Sequence, residues 1–195
     1  MREARIERKT RETEITLSLA LDGAGVTTID TGIGFFDHML DALARFGFLN
    51  LQILCKGDLK VDGHHTVEDV GICLGQAIRE ALGDKYGIRR LGHALVPMDE
   101  ALAQVSLDIC GRAYLHFEAD FKAPECGDYD TQLTLEFFRA ISQHAGLTLH
   151  MQILHGLNAH HMTEALYKAF GKALDEAISI DPRIKGVQST KGVLA

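Results

Sequence analysis

The stretch Asp62-Gly-His-His-Thr-Val-Glu-Asp69 carries the pattern His-His-x-x-Glu, and Asn158-Ala-His-His-Met-Thr-Glu-Ala165 carries it again. His64, His65 and Glu68 recur as His160, His161 and Glu164, each 96 positions later. The text upstream of each motif repeats too: Gly47-Phe-Leu-Asn-Leu-Gln-Ile-Leu54 resembles Gly146-Leu-Thr-Leu-His-Met-Gln-Ile-Leu154. Four imidazoles and two carboxylates in matching places of two half-chains read as a metal centre.

Working outward, Phe36, Met39, Leu40, Leu43 and Phe46 recur at helical spacing, and Gly47 suits the left-handed position after a helix. Residues 49–54 read as a strand and residues 66–82 as a helix with Val67, Val70, Leu74, Ile78 and Leu82 on one face. The second half repeats the order: a helix over 133–145 ending at Gly146, a strand over 147–154 and a helix over 162–178. Upstream, residues 14–21 alternate polar and apolar as a half-buried strand, Asp22-Gly-Ala-Gly25 is a turn, and residues 26–30 are β-branched and short. Residues 101–110 and 112–121 read as paired strands joined at Gly111, and Pro124-Glu-Cys-Gly127 as a turn. The pattern predicts an internally duplicated α+β fold: one domain of two pseudo-repeats, about 1–90 and 91–195, joined near 88–97.

With 195 residues and 46% hydrophobic composition, the chain can bury a sizeable core. No apolar run is long enough to span a membrane, and the mixed-charge N-terminus lacks a signal-peptide core. A net charge of −7 argues against a general nucleic-acid binder. Cys55, Cys73, Cys110 and Cys126 form no CxxC pair and read as buried, reduced thiols.

Helix geometry divides each motif. Residues at i and i+4 share a face, whereas i+1 is rotated by about 100°. His64 with Glu68, and His160 with Glu164, can each grip one ion, while His65 and His161 point elsewhere. Each site then needs a further ligand. His38 opens the first helix of one half, and Glu136 occupies the matching place in the other. The expected sites are His38, His65, His160 and Glu164, and their counterpart Glu136, His161, His64 and Glu68. Imidazole and carboxylate donors without thiolate suit a divalent first-row ion with positions open to substrate. His93, His116, His144, His150 and His155 lack the repeat and read as structural, and Met39 and Met98 as core filler. Arg90, Arg112, Lys168 and Lys191 read alone as surface charges; Thr190-Lys-Gly192 is a weak phosphate signal, and the tail after Pro182 looks like a loose end.

Thr31-Gly-Ile-Gly-Phe-Phe-Asp-His-Met-Leu40, the two His-His-x-x-Glu blocks and Ser189-Thr-Lys-Gly-Val-Leu194 resemble the imidazoleglycerol-phosphate dehydratase family over nearly the whole chain. The resemblance implies a duplicated fold of the ribosomal-protein-S5-like type, with helices sandwiched between two mostly antiparallel sheets. It implies dehydration of D-erythro-imidazole glycerol phosphate to imidazole acetol phosphate in L-histidine biosynthesis, by metal-assisted imidazolate formation and loss of water. It further implies two Mn²⁺ per subunit, no organic cofactor, a cytoplasmic homo-oligomeric 24-mer, and no nucleic-acid or membrane partner. Carried over by motif, Glu12 contacts substrate and moves protons; Arg90, Arg112, Lys168, Ser189 and Lys191 hold the phosphate and its surroundings; Asp99 stands behind them. One departure is plain: Leu135-Glu-Phe-Phe138 has Glu136 where many members have His. Some relatives carry a fused histidinol-phosphatase domain, for which this chain has no length. A di-metal phosphate-ester hydrolase is the alternative enzyme, and a metal-held structural or storage shell the alternative outside catalysis.

Overall fold

Along β2 (Thr13–Ala20), Ile15, Leu17 and Leu19 are buried while the residues between them are not, so one sheet face must be covered. The computed structural model describes residues 2–192 and 194, so Val193 of the terminal block lies outside the described residues. The remaining elements of the first half are β1 (Glu3–Lys9), β3 (Thr27–Asp30), α1 (Gly34–Phe46), β4 (Asn50–Gly57) and α2 (His64–Leu82). In the second half they are β5 (Leu91–Met98), β6 (Ala101–Asp108), β7 (Tyr114–Glu118), the two-residue pair β8 (Glu125–Cys126) and β9 (Tyr129–Asp130), α3 (Leu133–Ala145), β10 (Thr148–His155) and α4 (Ala159–Ile178).

The two four-stranded sheets share one topology. In the order β1-β2-β4-β3 the pairings run antiparallel, antiparallel, parallel, and β5-β6-β10-β7 repeats them. The helices lie between the sheets: α2 packs on β1 and β2, α4 on β5 and β6, and the layer closes by contacts of α2 with α3 and of α1 with α4. Each of these helix pairs joins one half to the other, so both halves share one core. Phe36, Tyr129, Phe137, Phe138, Tyr167 and Phe170 form its aromatic centre; the Phe137 and Tyr167 rings stack 5.2 Å apart.

Glycines set how closely the helices cross. A Cβ at Gly171 of α4 would lie 2.4 Å from the Leu43 carbonyl oxygen of α1, and one at Gly75 of α2 would lie 3.0 Å from the Ile141 carbonyl oxygen of α3. They are 96 positions apart, the same offset as the His-His-x-x-Glu motifs.

Some sequence expectations change. Residues 101–110 and 112–121 do not pair with each other: β6 and β7 flank β10, antiparallel on one side and parallel on the other. The supposed joint at 88–97 is largely the strand β5. The helices α2 and α4 start earlier than periodicity alone indicates, at His64 and Ala159, which brings both histidine pairs onto helix. Gly47 has φ −93°, and the left-handed residue after α1 is Phe48 at φ 52°; Gly146 takes that role after α3 at φ 69°. The offset for this part of the repeat is therefore 98, which aligns buried Phe36, Met39, Leu40 and Leu43 with buried Thr134, Phe137, Phe138 and Ile141. The same offset pairs His38 with Glu136. The tail is held rather than loose: Gly87 N–H donates to the Gly186 carbonyl and Arg90 to the Gln188 carbonyl, each at 2.8 Å.

Candidate metal centre and active site

The helices α1 and α4 bring His38 and the second motif together. Asn158 caps α4, its side-chain oxygen accepting from His160 N–H at 2.9 Å and His161 N–H at 3.4 Å, and so fixes where the motif begins. His160 and Glu164, one turn apart, approach to 3.2 Å between Nε2 and Oε2, and His38 Nε2 lies 3.6 Å from the same oxygen. One ligand atom from each of His38, His160 and Glu164 falls within 4.8 Å of the others. Donors sharing one ion at about 2.0–2.2 Å stand roughly 3–4 Å apart, so the trio fits a single cation. Phe35 meets the His160 ring edge-on at 5.0 Å, which limits its rotation.

Glu164 is 6% exposed. Burial pushes its carboxyl up, but the Lys168 ammonium, bonded to Oε1 at 2.6 Å, and the neighbouring imidazoles hold it below the ordinary value. Lys168 in turn sits 5.1 Å over the Phe46 ring. It stands beside the metal cluster, away from the other expected phosphate-holding residues.

As the helix argument requires, the second histidine of each pair turns aside. His161 Nδ1 lies 2.7 Å from Glu100 and its Nε2 3.7 Å from Asp99. His65 Nδ1 lies 3.0 Å from Asp58 and its Nε2 3.8 Å from Glu12. The carboxylates at Nδ1 raise both imidazole pKa values, and backbone N–H groups of Asn158 and Leu157 together with His161 pull Glu100 down to about 2. Within the chain, His65 does not join the His38 trio. His64 and Glu68 approach to 4.0 Å, while Glu136 is gripped by Arg139 through both oxygens at 2.6 and 2.5 Å. Among the described residues, the four members of the second expected site are not gathered in one chain.

The cationic residues divide. Arg90, Arg112, Ser189 and Lys191 line one cavity of about 710 Å³ with Arg89 and Gln188. Arg90, at φ 70°, is aimed by a two-point bridge to Asp108 at 2.6 and 2.8 Å and donates to the Gln188 carbonyl at 2.8 Å, tying the tail to the cavity. Ser189 Oγ accepts from Lys191 N–H at 3.1 Å. Such a cavity suits a phosphate. Glu12 sits in the turn between β1 and β2, away from that cavity and against His65. Sequence reasoning missed Asp58, Glu100 and Asp108: Glu100 and Asp108 meet partners in other elements, and Asp58 meets nearby His65 across a loop that no periodicity places. The Met98-Asp-Glu100 run beside a motif-bearing half was the available signal for Glu100.

Comparison with known proteins bears on the same residues. The imidazoleglycerol-phosphate dehydratase family model matches residues 31–174, from the first helix block to the core of α4. The chain is 56% identical over 193 residues to the imidazoleglycerol-phosphate dehydratase of Acetivibrio thermocellus, covering 99% of both chains. It is 57% identical over 194 residues to that of Streptococcus mutans, covering 100% of both. A crystal structure of imidazoleglycerol-phosphate dehydratase from Staphylococcus aureus superposes with a TM-score of 0.84 at 38% identity, over 92% of this chain and 99% of that one. One from Pyrococcus furiosus gives 0.82 at 36%, over 97% and 100%. With the duplicated fold, the histidine–carboxylate trio and full-length similarity in agreement, the chain belongs to the imidazoleglycerol-phosphate dehydratase family, and is a lyase.

Proposed function

We propose that the chain dehydrates D-erythro-imidazole glycerol phosphate to imidazole acetol phosphate in L-histidine biosynthesis, with divalent metal held through its His-His-x-x-Glu motifs. The observation that carries the metal reading is the His38, His160 and Glu164 trio at the start of two packed helices. We take the full sets to be His38, His65, His160 and Glu164, and Glu136, His161, His64 and Glu68. Because His65 stands apart from the chain's own trio, and the members of the other set are not gathered among the described residues, we take each set to be completed by a neighbouring copy. A homo-oligomer, a 24-mer by family resemblance, follows from that arrangement. Mixed imidazole and carboxylate donors favour Mn²⁺, two per subunit, and the extra carboxylate of Glu136 hardens its set further. Both repeats, about 1–90 and 91–195, act as one functional unit, working in the cytoplasm.

The residues divide the work. When bound, the metal supplies Lewis-acid stabilisation as the substrate imidazole loses a proton. Arg90, Arg112, Ser189 and Lys191 hold the phosphate and so fix the reacting carbons in line. Glu12, in its exposed turn, takes the proton from carbon and hands it to the departing hydroxyl, which leaves as water. The imidazole regains its proton, and the enol left behind tautomerises to the ketone. Lys168 keeps Glu164 ionised and able to ligate. The test is a paired assay of purified protein with Mn²⁺: the product ketone is expected to accumulate with no release of inorganic phosphate. Phosphate release without ketone would instead establish a hydrolase.

A further inference from the structure

His65 and His161 are the two imidazoles that the reading above assigns to ions shared with a second copy, and each has a carboxylate at its inner nitrogen. Glu100 accepts backbone N–H bonds from Leu157 at 3.1 Å and Asn158 at 2.7 Å through Oε1, which leaves Oε2 to meet His161 Nδ1 at 2.7 Å. Asp58 spans His65 Nδ1 with both oxygens, at 3.2 and 3.0 Å. A carboxylate can only accept, so each Nδ1 must carry a proton, and in the neutral, ligating imidazole it is Nε2 that offers its lone pair. The rings are then fixed in orientation as well as in tautomer.

We propose that Asp58 and Glu100 are positioning residues that hold His65 and His161 with Nε2 as the metal-facing nitrogen. The proposal rests on the metal reading given above. The two carboxylates come from unrelated places. Asp58 lies in the loop between β4 and α2, whereas Glu100 lies in the β5–β6 turn. Their common feature is the nitrogen they face, and a shared loop conformation does not account for it. Partners of this kind affect metal affinity about 10–100-fold.

Glu100→Gln and Asp58→Ala, with the metal-free midpoint as control, separate orientation from fold support. In Glu100→Gln the carbonyl oxygen can still accept from Leu157 and Asn158, but the amide NH₂ then faces Nδ1 and donates to it. The proton moves to Nε2 and blocks the ligand nitrogen. At Asp58 either oxygen reaches Nδ1 and an amide can turn its own oxygen there, so Asp58→Ala removes the acceptor instead. The metal-free assembled protein is titrated with Mn²⁺ alone, free Mn²⁺ is followed by its electron paramagnetic resonance signal, and nitrogen modulation of the bound ion counts coordinated imidazoles. Expected is affinity about 10–100-fold weaker in each variant, with fewer coupled nitrogens and the metal-free melting midpoint unchanged. Wild-type affinity in both variants overturns the proposal and leaves the metal reading intact. Affinity loss that tracks a lowered metal-free midpoint assigns the carboxylates to fold support and also overturns it. Wild-type protein that binds no Mn²⁺ removes the metal reading and the proposal together.

Discussion

Gly171→Ala tests the link between helix crossing and the metal trio. On an isolated helix the change is favourable by about 1 kcal/mol. Here the new methyl would lie 2.4 Å from the Leu43 carbonyl oxygen and 3.0 Å from Gly47 N, while ordinary contact begins at 3.4 Å. The obstructing atoms are backbone and cannot rotate aside, so α1 and α4 must separate by roughly 1 Å or bend. Overpacking of this kind costs about 1–3 kcal/mol, and against backbone at 2.4 Å the upper end applies. Less the helix gain, this leaves a net loss of about 2 kcal/mol, which lowers the melting midpoint of a chain this size by roughly 4–8 °C. The same separation pulls His38 away from His160 and Glu164, because those ligands ride on the two helices that must part. Metal sites tolerate about 0.2 Å, so Mn²⁺ affinity should fall as well. Gly75→Ala, with its nearest backbone obstruction at 3.0 Å, should be milder. The assay is thermal unfolding at fixed protein concentration together with Mn²⁺ titration. A midpoint equal to or above wild type with unchanged metal affinity, or a larger effect at Gly75 than at Gly171, would refute the reasoning.

Further outcomes follow from the site and its supports. Glu12→Gln should lower turnover by about 10²–10⁴ while metal content and particle mass stay as in wild type; an unchanged rate removes Glu12 from the proton transfer. Lys191→Ala should raise KM roughly tenfold or more with a smaller change in kcat, as loss of a charge-assisted phosphate bond would; steady-state kinetics decide it. The hydrogen bonds from Arg183, with Arg89 nearby, hold the Asp181 carboxyl below its ordinary value of 3.8. Its contribution is therefore fully present above that value and is lost as pH falls below it. Urea midpoints between about pH 6 and about pH 3 should fall more steeply for wild type than for Asp181→Asn; parallel curves would show that the bridge contributes nothing.

The helices and the spacing of the histidine–carboxylate motifs were legible because both are periodic and local. The i, i+4 spacing alone separates His160 and Glu164 from His161, and the structure separates them in the same way. Strand partners are another matter. Tyr114 to Glu118 pairs with a strand more than thirty positions later, and no local pattern distinguishes that from a hairpin with β6. Leu91 to Met98 contains Gly92 and Pro97, which read as punctuation, yet Pro97 lies on an edge strand where its missing donor does no harm. The cavity around Arg90 was invisible because it depends on a tail that returns to the start of β5 through the Arg90–Gln188 contact. Glu136 illustrates a different limit: the repeat aligns it with His38, but Arg139, present in only one half, decides what its oxygens meet in the isolated chain.

The loop from 58 to 63 is longer than its counterpart from 156 to 158, and the difference bears on how the halves have drifted apart. In the first half the longer loop supplies Asp58 to His65; in the second the turn at Glu100 reaches across to His161 instead. The equivalent turn position in the first half is Glu12, which faces the other side of the His65 ring. The two copies are thus no longer interchangeable parts. A protein assembled from two first halves or two second halves would keep the helices and both histidine pairs, yet would carry two copies of one histidine clamp and none of the other. Neither half can therefore stand in for the other, and the fused pair is the smallest unit that carries both clamps.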